Sequence, residues 1–175
     1  MSGSGKTVTL EYLIGQLSAE GYRIGTIKHI HIPNFTIDKE GTNTWRYAKA
    51  GSKVTVAVSQ QEIAIIKKTP TSTTQIDQII ESLTDEQLDI VFIEGFHGTM
   101  MKRADIPKIL TAKDEEELKQ TIKNTVQPIL AISGIVAQNT DKKTEGTIPL
   151  IKVPVEGNRL VELVKEQLNK KSLRK

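Results

Sequence analysis

Cysteine is absent from the 175 residues, which excludes disulfides and thiolate metal sites. No apolar run approaches the length that crosses a bilayer, and no signal-peptide pattern precedes the first helical segment; the expected compartment is the cytoplasm, with no membrane partner. Aromatic residues make up only 4% of the chain. Trp45 and Tyr47 fall on one short segment, where they read as core or interface groups rather than base-stacking ones. Charge of one sign is also scarce: 24 Lys and Arg against 21 Asp and Glu leave a formal net charge of +3. Much of that excess sits in Lys170, Lys171, Arg174 and Lys175, a solvated tail, so nucleic acid is not an expected partner.

What is present is an alternation of short apolar runs with amphipathic segments. That pattern predicts an α/β fold of three layers, a mainly parallel sheet covered by helices on both faces. No repeat, low-complexity tract or linker divides the sequence, so a single domain over 1–175 is expected. Leu10, Leu13, Ile14 and Leu17 fall at helical spacing between Lys6 and about Glu20. Arg23 to His29 reads as a strand, and Thr44 to Ala50 as a short helix. Val54, Val56 and Val58 alternate at period two and are followed by Ile63 to Ile66, which predicts a hairpin forming an antiparallel edge of the sheet. A helix is expected over Thr74 to Leu83. The uninterrupted run Ile90-Val91-Phe92-Ile93 suits a strand buried on both faces. Further elements are a brief strand at Ile109 and Leu110, a helix over Glu115 to Lys123, a strand over Ile129 to Ile132, and a last helix over Asn158 to Asn169.

The chemistry concentrates in Gly3-Ser4-Gly5-Lys6-Thr7, the second half of the P-loop pattern Gly-x4-Gly-Lys-Thr. Glycines let backbone N–H groups close around phosphate oxygens, and the helix that follows adds the positive end of its dipole. Lys6 reaches outer phosphates, and the Thr7 hydroxyl is a natural Mg²⁺ ligand. The pattern's first glycine would fall one position before Met1, as would the central strand that normally enters such a loop. The first strand is thus expected to be missing, through a start codon assigned too late or a trimmed amino terminus. Glu94 closes an apolar strand in the way of a Walker B carboxylate, suited to hold Mg²⁺ or orient water, with Gly95 keeping the backbone clear of a ligand. Lys28 and His29 end a strand where open α/β sheets bind ligands, and Asp38 and Glu40 follow as weaker candidates. His29, His31 and His97 lack the partners of a zinc centre.

Lys28-His29-Ile30-His31, Ile37-Asp38, Gly41 and Ala50-Gly51, then Ile93-Glu94-Gly95-Phe96 and Pro107-Lys108-Ile109, resemble in order and spacing the molybdopterin-guanine dinucleotide biosynthesis protein B (MobB) family. The resemblance covers nearly the whole chain. It implies a cytoplasmic, GTP-binding homodimer with weak Mg²⁺-dependent GTPase activity, assisting attachment of a guanine nucleotide to molybdopterin. Gly3, Ser4, Gly5, Lys6, Thr7 and Val8 would then hold GTP, Thr7 and Glu94 would flank Mg²⁺, and Lys6 and Glu94 would act in hydrolysis. Lys28, His29 and Asp38 would line the nucleotide or a groove facing molybdopterin, its guanine dinucleotide, or a nucleotidyltransferase or molybdoenzyme partner. Gly41-Thr42-Asn43-Thr44 departs from the family's usual Gly-Lys-Asp-Ser. Two other functions fit the residues: an ATP-dependent small-molecule kinase and a non-catalytic adaptor.

Overall fold

The computed structural model describes residues 3–69 and 76–172. Thr74, the expected start of one helix, lies outside them, as do Arg174, Lys175 and the side chain of Lys171. Two compact units are present: Ile30–Gln75 forms one, and the chain on either side of it forms the other.

The larger unit begins with α1 (Lys6–Ala19), whose Leu13 and Leu17 are fully buried. Strand β1 (Ile24–Lys28) follows. The chain returns to this unit with α3 (Ile76–Glu81), β4 (Ile90–Glu94), the helical turn α4 (His97–Met100) and β5 (Lys108–Thr111). Next come α5 (Glu115–Lys123), β6 (Ile129–Ser133), the short α6 (Ile135–Gln138), the two-residue strands β7 (Thr144–Glu145) and β8 (Ile148–Pro149), and α7 (Gly157–Ser172). Helix α5 starts where the Asp114 side chain accepts the Glu117 N–H, an N-cap the sequence supplies.

All the longer strands of this unit pair in parallel, but as two separate ladders. β1 pairs with β4 in the register Ile24↔Ile90 through Lys28↔Glu94. β5 pairs with β6, whose Ile132 is also bridged to Leu150. Helices cover both faces. Leu13 and Leu17 of α1 and Leu160 and Val164 of α7 share a cluster with Ile90 and Phe92, whereas Val91 and Ile93 meet Ile76, Ile80 and Met100 on the opposite side. This three-layer arrangement is the α/β, P-loop NTPase-like fold the apolar pattern predicts. One expectation changes: every residue of β4 is half-buried rather than buried. Its side chains are covered, but its second edge has no strand beside it among the described residues.

The smaller unit holds α2 (Asn43–Lys49) and the antiparallel hairpin of β2 (Val54–Val58) and β3 (Ile63–Lys67). The hairpin is not an edge of the parallel sheet, as its pattern had implied; it forms a sheet of its own. Each strand satisfies one edge with the other, in the register Val56↔Ile65 and Val58↔Ile63. Period-two alternation fixes which residues share a face, and leaves open which sheet that face belongs to.

Candidate phosphate-binding site

The loop before α1 is shaped by two glycines with left-handed backbone, Gly3 at φ 77° and Gly5 at φ 86°. Gly5 caps the helix without a side-chain bond, so the N–H groups of the first turn are not consumed by a cap. A Cβ on Gly5 would lie 2.8 Å from the Gly134 Cα, and one on Gly134 would collide with the Ser4 carbonyl. The Ser4 carbonyl accepts the Ile135 N–H at 3.1 Å, which ties the loop to the turn after β6.

Two pairs of hydroxyls hold this loop in place. Ser4 is fully buried, and its Oγ lies 3.0 Å from Thr111 Oγ1 at the end of β5. Thr9 Oγ1 is 3.3 Å from Ser133 Oγ, which donates to the Ile151 carbonyl at 3.1 Å. The Lys6 ammonium donates to Ser4 Oγ at 3.2 Å. Ser4 thus supports the cradle by its side chain, while Thr7 and Val8 are exposed on the first turn. Thr111, Ser133 and Gly134 were not singled out from sequence. Their signal was a polar residue or glycine closing each apolar strand, at the strand ends where open α/β sheets bind ligands.

Glu94 ends β4, and its side chain is 16% exposed. Its carboxylate accepts the Lys28 ammonium at 2.8 Å, so two of the expected site residues form an ion pair across the β1–β4 ladder. Lys6 and Glu94 both line one cavity of about 440 Å³. His29 stacks on Phe96 with ring centroids 4.4 Å apart, and its N–H bonds the Glu94 carbonyl at 2.8 Å. Gly95, at φ 96°, is required here by His29: a Cβ would stand 2.7 Å from the His29 Cβ.

Asp38 belongs to the smaller unit. It is buried, and its Oδ1 accepts the hydroxyls of Thr44 at 2.7 Å and Thr42 at 3.2 Å, while its Oδ2 has no hydrogen-bond partner among the described residues. Thr42 also caps α2 by accepting the Trp45 N–H. The Thr42 and Thr44 of the divergent segment therefore hold the Asp38 carboxylate and start the helix. Among the described residues no group of three His, Cys, Asp or Glu side chains is gathered to hold a metal.

The solved structure of Bacillus subtilis MobB has this fold, with a TM-score of 0.72 at 23% identity, covering 93% of each chain. A MobB homologue from Bacillus stearothermophilus gives 0.68 at 17% identity, covering 97% of this chain and 94% of that one. A Haemophilus influenzae molybdopterin-guanine dinucleotide biosynthesis adapter protein is 39% identical over 65% of this chain and 60% of its own length. Its Escherichia coli counterpart is 38% identical over 65% of this chain and 62% of its own. The chain thus spans about three fifths of these relatives' length. With residues 1–134 matching the family described as molybdopterin guanine dinucleotide synthesis protein B, the chain belongs to the MobB family.

Proposed function

We propose that this protein is a nucleotide-binding adapter in the formation of molybdopterin-guanine dinucleotide. The cradle of Gly3 to Val8 holds the phosphates of GTP, with Lys6 countering their charge and the Thr7 hydroxyl at a Mg²⁺ ion. The partner is the nucleotidyltransferase that joins the guanine nucleotide to molybdopterin, or the molybdoenzyme that receives the product. The observation that carries the reading is the left-handed Gly3 and Gly5 at the start of α1, beside a lysine that shares a cavity with Glu94.

An adapter is better supported than a GTPase or a kinase. The Glu94 carboxylate accepts the Lys28 ammonium at 2.8 Å, which takes up one of its two oxygens. Curated relatives carry the adapter name. Guanine selectivity rests on the family; no base-reading side chain is assigned in this chain.

A homodimer fits the hairpin. Val54, Val56, Val58, Ile63 and Ile65 lie on one face and are more than half exposed. A contiguous apolar face of this kind is the common mark of an association surface. No helix among the described residues is long and apolar enough to cross a membrane, and the cytoplasm, where nucleotide and pterin are made, is the proposed compartment.

Calorimetric titration of GTP with Mg²⁺ into the chain and its Lys6→Ala variant tests the proposal. The variant should lose at least about tenfold in affinity, or about 1.4 kcal/mol. Equal affinity in both would overturn phosphate binding at this loop. Turnover abolished by both Lys6→Ala and Glu94→Gln would restore the GTPase, and tighter binding of ATP than GTP would favour the kinase.

A further inference from the structure

Lys113 follows β5 in a turn that hydrogen bonds hold in place. Thr111, two residues before it, meets the Ser4 hydroxyl at 3.0 Å. The Ala112 carbonyl accepts the Val136 N–H at 2.9 Å. The Lys113 N–H is taken by the Glu117 carboxylate at 2.7 Å, while the Asp114 carboxylate accepts the Glu117 N–H at 2.8 Å. This reciprocal cap commits both acidic neighbours to backbone groups. It also seats the lysine at the carboxyl end of β5, where open α/β sheets bind ligands.

The side chain runs to the cradle. Its Cε lies 3.9 Å from the position a Cβ on Gly3 would occupy, so the stem rests beside the first of the two left-handed glycines. The residue is exposed, and no hydrogen bond or ion pair takes up its ammonium among the described residues. Lysines elsewhere in this chain do pair when a carboxylate is near: Lys28 with Glu94, Lys142 with Glu115, Lys143 with Glu156. Lys113 stands beside Asp114 and Glu117 and pairs with neither.

Charge indicates what such a head can hold. A triphosphate carrying one Mg²⁺ is still an anion, and Lys6 is the one cation within Gly3 to Val8. Lys6 follows the loop and Lys113 lies beside its start. A lysine ammonium is a compact point charge with three rotatable donors on a flexible stem, suited to phosphate oxygens approached from the side. Recruiting this one breaks no existing bond.

We infer that Lys113 is a second cation of the phosphate site, closing over a polyphosphate from the Gly3 side while Lys6 holds it from the Gly5 side. The inference rests on the reading of Gly3 to Val8 as a polyphosphate cradle and adds to that cradle a binding residue from the far side of the sequence. The contact to the anion is direct, through the Lys113 ammonium.

Amine acylation of the parent chain, followed by mass spectrometry with and without inorganic tripolyphosphate and Mg²⁺, is the first test. The anion should slow acylation of Lys113 at least about tenfold and leave the exposed Lys119 of α5 unchanged. Calorimetry with GTP and with tripolyphosphate, both with Mg²⁺, is the second, on Lys113→Met, which keeps the stem and loses the charge, and on Lys113→Arg. Methionine should weaken both anions at least about tenfold without lowering the melting temperature of the free protein, and arginine should stay within about threefold of the parent. Protection of Lys6 without Lys113, or Lys113→Met binding as tightly as the parent, overturns the inference and leaves the nucleotide reading standing. A loss shared by methionine and arginine marks a structural role and overturns it as well. Lys113-dependent binding of tripolyphosphate by a chain that does not bind GTP would strike the nucleotide reading and keep the second cation. A parent that binds neither anion strikes both.

Discussion

Lys28 and Glu94 stand opposite each other at the carboxyl ends of two adjacent parallel strands, with ammonium and carboxylate 2.8 Å apart. The lysine is 57% exposed, so solvent screens the attraction and the pair contributes at most about 1 kcal/mol to stability. Its consequence is for the site. Lys28→Met should lower the melting temperature little while raising the Mg²⁺ dependence of GTP affinity, because Glu94 is released toward the cation. Calorimetry at several Mg²⁺ concentrations checks this, and an unchanged dependence would show that Glu94 does not face the metal.

Gly95→Ala combines a strained backbone with crowding against His29, whereas Gly21→Ala at φ 92° has open space around it. Both carry the backbone penalty of roughly 1–3 kcal/mol. Only Gly95→Ala should also disturb the His29–Phe96 stack, seen as an altered His29 imidazole resonance. Chemical denaturation of the two variants should rank Gly95→Ala as the less stable.

Removing the Ser4 hydroxyl leaves Thr111 Oγ1 facing a buried gap. Ser4→Ala should cost about 1–3 kcal/mol of unfolding free energy and weaken GTP binding through a looser cradle. A loss of affinity with no loss of stability would instead mean that Ser4 touches the nucleotide.

On the hairpin, Val58 and Ile63 are directly paired and 72% and 68% exposed. Val58→Lys with Ile63→Glu introduces an opposite-charge cross-strand pair that the hairpin tolerates and a dimer interface does not. Sedimentation velocity should show a monomer for this double variant and a dimer for the parent.

Glu156 is held below the ordinary carboxylate value of 4.5, first by its hydrogen bond from Lys143 and then by the Lys152 N–H. The folded state binds its proton less readily than the unfolded chain does, so this contribution is present above 4.5 and is lost as pH falls through the lower, folded value. Melting temperatures recorded from about pH 6 down to about pH 3 should fall less steeply in Glu156→Gln than in the parent.

Much of the fold was legible because its signals are local. The helical spacing of Leu10, Leu13 and Leu17 gave α1, the period-two Val54, Val56 and Val58 gave β2, and the run from Ile90 gave β4. The four-residue turns α4 and α6 escaped, since neither is long enough to show a period. Within the site, the glycines and Lys6 were visible as a motif. The Thr111, Ser133 and Gly134 that seat the cradle were not, because they approach it from more than a hundred residues away.

By itself the sequence determined which segments form helices and strands, which of their faces are apolar, and that a glycine-rich turn opens α1; each follows from residues within a few positions of one another. Tertiary structure alone decided that Glu94 pairs with Lys28, that the side chain of Ser4 is buried against Thr111, that the hairpin forms a sheet of its own, and that among the described residues β4 and β5 each have a strand along one edge only. These are properties of neighbours in space. Backbone edges carry the same N–H and C=O groups whatever the side chains are, so no local pattern of residues can tell a paired edge from an open one.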